Sequence, residues 1–299
     1  MKKSFLTASF LAAAALAAPG CREAAPVELI DGGGPPPIEV VSPPPNQMPG
    51  AEMNDLDSSG IVTLPPQKIA GQVVIAGARY DGPLLSLEAS ASRAIFFDLS
   101  SPVQLGANRV TYRTLDVGSV DLNGIPLLEI EKRARLMAAD TLLGVQYILY
   151  NRLPLGFRYT GGTLYTWTGT GNGSIAAFTA QITAPPAIVV QNLTPSTLVR
   201  LDEPLRIRWT GGGASVQLVI GVAGHLLADA RPVLHLRLGP NQGGIIIPPR
   251  IMALLPRDAD ALVFSFSSGA TNVARIGGYP DDVLVQAFTS HSIVVGVAR

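Results

Sequence analysis

Beyond Gly60 the chain is written mostly in short runs where apolar and polar positions alternate, the period-two pattern of a strand with one buried face. Gln72-Val-Val-Ile-Ala is a short β-like run, followed by a turn signal at Tyr80-Asp-Gly-Pro83. Arg93-Ala-Ile-Phe-Phe-Asp-Leu and Arg109-Val-Thr-Tyr-Arg-Thr-Leu come next, the second rich in β-branched residues. Val145-Gln-Tyr-Ile-Leu-Tyr150 predicts another strand, ended by Asn151-Arg-Leu-Pro154. Between them the period is ambiguous. Ile130, Ala134, Met137 and Ala138 would share a helix face, whereas Leu128, Ile130, Lys132, Ala134 and Leu136 alternate. The neighbouring strands tip this segment, residues 127–143, toward a strand beginning at Leu127.

Pro185-Pro186 interrupts the pattern after Ala176-Ala-Phe-Thr-Ala-Gln-Ile-Thr and marks a domain boundary. Past it, Leu205, Ile207 and Trp209 alternate with Arg206, Arg208 and Thr210, one face dry and one wet. Ser215-Val-Gln-Leu-Val-Ile-Gly, Pro232-Val-Leu-His-Leu-Arg-Leu, Ala261-Leu-Val-Phe-Ser-Phe, Asp282-Val-Leu-Val-Gln-Ala-Phe and Ser292-Ile-Val-Val-Gly-Val continue the series. One short helix is expected near Pro249 to Leu255, where Ile251, Leu254 and Leu255 have helical spacing and Pro249 suits the first turn. The sum is an all-β, mainly antiparallel chain of two β-sandwich-like domains, residues 59–185 and 186–299.

At Leu205-Arg-Ile-Arg-Trp-Thr, followed by Val216-Gln-Leu-Val-Ile, the second domain resembles a fibronectin type III or immunoglobulin-like β-sandwich. That resemblance implies an inward Trp209 packed between two sheets. The lone Cys rules out the disulfide of antibody domains.

The N-terminus departs from the strand pattern. Lys2 and Lys3 precede an apolar stretch from Phe5 to Ala18, too short to span a bilayer, which takes about 20 residues. Ala18-Pro19-Gly20-Cys21 then resembles the lipobox of bacterial lipoproteins, with Ala18 where Leu is usual. The resemblance implies a signal peptide at residues 1–20, cleavage before Cys21, and diacylglycerol and acyl (palmitate-type) chains on that residue. Each buried CH₂ of those chains contributes about 0.8 kcal/mol to membrane anchoring. Arg22 in place of an Asp implies sorting to the outer membrane. Residues 21–58 carry prolines at 26, 35–37, 43–45 and 49 around Gly32-Gly-Gly34. They are expected to form a disordered, semi-extended tether unable to pair into a sheet. With Gly173-Ser-Ile-Ala-Ala-Phe-Thr-Ala and the Trp-Thr phrase, this layout resembles bacterial lipoproteins of the outer-membrane type.

Composition narrows the function classes. The 299 residues include 22 basic and 22 acidic side chains, and only 15% are charged against about 25% in an ordinary soluble protein. A net charge of zero leaves no electrostatic footprint for nucleic acid. A C-terminus ending Val297-Ala-Arg argues against an outer-membrane barrel.

Candidate chemistry is sparse. His225, His235 and His291 have no metal-ligand spacing, and each is expected to be structural. No nucleophile elbow, Walker loop or dinucleotide fingerprint occurs, and the only Cys is committed to lipid. Glu129 and Glu131 would lie about 7 Å apart on one strand face, within the range of a glycosidase pair. Lys132 and Arg133 beside them favour a solvated charged edge. Asp258 with Asp260 and Asp281 with Asp282 are the other carboxylate pairs. Asp55-Leu-Asp-Ser-Ser-Gly60 begins like a Ca²⁺ loop, but Pro66 takes the position of its closing Glu.

Tyr159, Tyr165 and Trp167, next to Gly/Thr/Asn-rich turns, are the candidate ligand-binding residues, as a stacking platform for sugar rings. If all three rings are buried, that platform does not exist. The sequence thus points to a lipid-anchored envelope protein without catalytic, metal or cofactor sites. Its expected partners are membrane lipid through Cys21 and an envelope protein or glycan.

Overall fold

A computed structural model describes Val27–Glu28, Glu39–Val41 and residues 69–298 except 107–108, 137–138, 151–156, 174 and 224–230. Cys21, His225, the 55–60 turn and most of the expected tether lie outside the described residues.

Strands dominate. The N-terminal half holds β1 (Val27–Glu28), β2 (Glu39–Val41), β3 (Ile69–Asp81), β4 (Ser86–Gly106) and β5 (Arg109–Thr114). It continues with β6 (Val120–Leu122), β7 (Ile125–Pro126), β8 (Leu128–Leu136), β9 (Ala139–Tyr150), β10 (Leu164–Gly169) and β11 (Phe178–Thr183). The C-terminal half holds β12 (Val189–Val190), β13 (Leu198–Val199), β14 (Leu205–Thr210), β15 (Ser215–Ala223) and β16 (Arg231–Pro240). β17 (Gly244–Ile247), the single-turn helix α1 (Pro249–Met252), β18 (Ala261–Ala274) and β19 (Asp282–Val297) complete it. The expected all-β, mainly antiparallel class is what forms. The described part of the ambiguous 127–143 segment is strand from Leu128 on, as β8 and β9, and the short helix starts at Pro249 with proline at its first turn.

One twelve-stranded sheet runs β1-β2-β16-β15-β18-β19-β3-β4-β9-β8, with β13 added to β19 and β5 to β4. Two smaller sheets, β11-β10-β6-β7 and β12-β14-β17, pack against it. Their cores follow from the alternation. Even positions of β18 (Leu262, Phe264, Phe266) and odd positions of β19 (Ile293, Val295) pack with Ile207, Trp209 and Ile247 of the three-stranded sheet. Further along the same face of β19, Val283, Val285 and Ala287 pack with Tyr165, Trp167, Ala180 and Ile182 of the four-stranded sheet. The inward Trp209 thus sits between sheets, its ring 5.4 Å from that of Phe266 and its Nε1 donating to Asn241 Oδ1. The division of the cores near residue 185 coincides with the Pro185-Pro186 break. The large sheet nevertheless crosses that point, because β19 pairs β3 in parallel from Asp282↔Ile69 to Ile293↔Asp81.

Two expectations need correction. The proline-rich segment was expected not to pair, yet Glu39–Val41 pairs His235–Arg237 of β16, and Val27–Glu28 pairs β2. Proline removes only its own donor, and Glu39-Val40-Val41 keeps intact donors between two proline clusters, enough for a short edge strand. The C-terminal runs expected as separate strands, 282–288 and 292–297, form one strand of 16 residues. The polar residues between them face a seam rather than a turn. Thr289 Oγ1 accepts the Ile188 N–H at 3.1 Å and His291 Nδ1 accepts the Val190 N–H at 2.9 Å, so β19 satisfies the backbone of the linker that crosses it between the two cores.

Candidate functional site

A cleft of about 400 Å³ opens where β4, the turn after β5, the loop after β10 and the turn before β19 converge. Phe97, Asp98, Leu115, Asp116, Asn172 and Tyr279 contribute to its wall. Asp98 ends the regular part of β4, where register shifts between Asp98 and Pro102. Its Oδ1 accepts from the Ser100 amide and hydroxyl at 3.0 and 2.5 Å, and its Oδ2 from Ser101 at 2.6 Å. The Ser100 hydroxyl, then Ser101, hold this carboxyl below its usual range. Asp116 is equally engaged: Oδ1 takes the Gly118 N–H and the Tyr147 hydroxyl, and Oδ2 takes Asn172 Nδ2 at 2.8 Å. Tyr279 closes the floor, its hydroxyl accepting the Phe97 N–H at 3.0 Å and lying against the carbonyls of Ala70 and Phe97. Burial raises its pKa, and that of Tyr147.

The carboxylates of the cleft, Asp98 and Asp116, are therefore saturated by their own chain. No histidine is among the residues that line the cleft. Among the described residues, no three His, Cys, Asp or Glu side chains converge to hold a metal ion.

The expected aromatic platform does not exist. Tyr159, Tyr165 and Trp167 are 8%, 3% and 0% exposed. Trp167 Nε1 donates to Ser92 Oγ, which donates to the Val74 carbonyl. Tyr159 donates to the Pro185 carbonyl at 2.6 Å and stacks on Tyr165 at 6.1 Å. Its ring lies so close over Gly77 that any Cβ there would overlap it. Alternation put Tyr165 and Trp167 on one strand face, and it is the core face of a two-layer structure. A sugar-stacking role for these rings is withdrawn.

The other candidates scatter. Glu129 and Glu131 are exposed, and Glu131 pairs with Arg133 at 2.7 Å. Asp258 and Asp260 are exposed, and Asp282 bonds Arg275. His235, half-buried on β16, lies 3.3 Å from Gln217 Oε1. His291 is fully buried with both ring nitrogens engaged, Nδ1 by the Val190 N–H and Nε2 by Asp81 Oδ2 at 2.8 Å. Because Nδ1 accepts, the ring is neutral with its proton on Nε2, and neither nitrogen is available as a catalytic base. Burial depresses its pKa, outweighing the Asp81 carboxylate. For Asp81 burial acts upward, but the polar groups of Ser86, His291 and Arg79 hold it below its usual range.

Lys132 was expected on a solvated edge and is instead 6% exposed. Arg93 and Phe97, on one face of β4, both act on Lys132 of β8. The Lys132 Nζ lies 4.9 Å from the centre of the Phe97 ring. Desolvation, with the Arg93 charge adding to it, lowers its pKa to about 8. Alternation with Ile130 and Ala134 was the available signal for this burial. The adjoining charges at 129, 131 and 133 concealed it.

No family model matches the chain, and no curated protein matches it. One solved structure, the yeast delta-COP-I mu-homology domain complexed with a Dsl1 WxWxV peptide, overlaps it at 7% identity and a TM-score of 0.22. The overlap covers 78% of this chain and 100% of that one. At that score the overlap carries no conclusion about fold or function.

Proposed function

We propose that this chain is a lipid-anchored cell-envelope protein of the outer membrane that acts as a binding or scaffold module without catalysis. The anchor rests on Cys21 and the Lys2-to-Gly20 leader before it. The binding role rests on one structural observation, the apolar tip of the β3–β4 hairpin. Leu84, Leu85 and Leu87 are 93%, 46% and 41% exposed within four residues, behind an exposed Pro83. The tip caps strands of 13 and 21 residues near the middle of the large sheet and is closed by Gly82 N–H to Leu85 O at 3.0 Å. A rigid apolar projection gains nothing in water and supplies a preformed contact for an envelope protein. No helix among the described residues is long and apolar enough to cross a membrane, so the leader and Cys21 carry the membrane assignment.

Two measurements in a bacterium with lipoprotein machinery test this. Wild-type protein should gain the mass of the lipid and fractionate with the outer membrane, and Cys21→Ala should lose both. A photo-crosslinking amino acid at position 84 should yield a discrete protein adduct that the same group at the exposed Glu203 does not. Unmodified, soluble wild-type protein overturns the anchor. Identical adducts at both positions, or lipid adducts alone, overturn the binding role.

A further inference from the structure

β8 and β5 each carry buried polar groups without a hydrogen-bond partner. Among the described residues, Lys132 Nζ and the hydroxyls of Thr111 and Thr114 on β5 have no hydrogen-bond partner, at 6%, 2% and 7% exposure. Three of the surrounding residues are tied to one spot by pairing. Lys132 is the register partner of Gly144 on β9, and Thr114 is the register partner of Phe97 on β4, whose ring faces the Lys132 amine. A Cβ on Gly144 would run into the Thr114 carbonyl and hydroxyl, so glycine is what lets β5 settle over β9 beside the lysine. The charged group facing the amine from β4 is Arg93, also a cation. On β8 itself Glu131 and Arg133 are exposed and bonded to each other.

An ammonium buried without an acceptor is strongly disfavoured. Loss of the proton would relieve only the lysine, since two threonine hydroxyls would remain unsatisfied. A group supplying negative charge and several lone pairs relieves both the lysine and the Thr114 hydroxyl that packs over Gly144, the lysine's register partner. We propose that Lys132 and Thr114, with Phe97 as the wall, form a buried binding site for a compact monoanion. The cleft shares Phe97 with this site, but neither Lys132 nor Thr114 lines it.

Formate is a suitable probe, since it stays an anion from pH 6 to 10. Lys68 and Lys132 are the only lysines after Lys3, so the full chain labelled with ¹³Cε-lysine gives a simple spectrum. Ionic strength is held with a bulky sulfonate salt. With formate, the Lys132 signal should shift saturably and its titration should move upward from about 8, while Lys68 stays in place. Formate should bind roughly a hundredfold more weakly at pH 10 than at pH 7, because only the protonated amine is competent. Thr114→Val should weaken binding several-fold. Lys132→Met should abolish any formate-dependent gain in thermal stability. A Lys132 titration unmoved by formate overturns the proposal, as does an equal formate response in Lys132→Met. Neither result depends on the anchor or on the leucine tip.

Discussion

His291 shows how far a single residue can be read before the fold is known. Its isolation from other ligand-type residues pointed to a structural role, but its function depends on Asp81, 210 positions away, and on the Val190 amide across the seam. Burial disfavours the charged ring and depresses its folded pKa below the ordinary 6.5, against the opposing pull of Asp81. A depressed imidazole contributes stability that is fully present above the unfolded value and is lost as pH falls through 6.5 toward the folded one. Wild-type stability should therefore decline between neutrality and the acid side of 6.5, before Asp81, held below 3.8, begins to titrate. His291→Ala should cost about 1–3 kcal/mol at pH 8 by orphaning a buried amide. The difference from wild type should narrow as pH falls through that window. Denaturant melts of both proteins at four or five pH values check this, and a difference independent of pH would show that the ring's protonation is uncoupled from folding. Lys132 is the opposite case, legible only to a reader who trusted alternation over charge.

Strand existence was legible at the scale of the element, and strand extent was not. Alternation located β14, β15 and β19, where one face meets a core and a one-residue slip would exchange the faces, whereas β3 and β4 showed as continuous apolar runs because residues 73–76 and 94–97 are buried on both faces. It failed where polarity inside a strand serves another segment, as at Thr289 and His291, and where short apolar runs lie between prolines, as at Glu39–Val41. A signal passed over was Asn123-Gly124, with φ of 50° and 78°, which joins β6 to β7 in a two-residue hairpin. Asn123 Oδ1 also accepts the Thr166 N–H at 2.9 Å, tying that hairpin to β10. Glycine placement yields a sharper expectation. Gly144 has φ of 131° at the register shift between Lys132 and Arg133, and β5 sits directly above it. Gly144→Ala combines a strained backbone with a clash against Thr114, so it should cost about 2–4 kcal/mol. Gly124, with open space where a Cβ would stand, is the control: Gly124→Ala carries the backbone penalty alone, about 1 kcal/mol. Equal losses for the two variants would mean that β5 does not rest on β9.

The boundary drawn at Pro185-Pro186 falls between the two cores, yet the strands of one sheet run through both. β18 and β19 supply Leu262, Phe264, Phe266, Ile293 and Val295 to one core and Val283, Val285 and Ala287 to the other. Each of these strands is continuous over 14 or 16 residues, with an unbroken antiparallel register from Ala261↔Gly296 to Ala274↔Val283. Melting one core would free half of a strand whose other half stays paired, and would expose the seam where Thr289 and His291 hold the linker amides. The sequence offered no view of this, since a proline pair and a change of pattern look the same whether the flanking segments fold apart or share a sheet. Shared strands make the two cores lose their order together, so calorimetry of the whole chain should show one cooperative transition. Phe264→Ala, in the C-terminal core, should lower that transition by an amount corresponding to about 3–5 kcal/mol. Val285→Ala, in the N-terminal core, should lower the same transition by roughly 2 kcal/mol. Two resolved transitions, each moved by only one of these substitutions, would show that the cores unfold independently and that the β3–β19 pairing is a docking contact between separate domains.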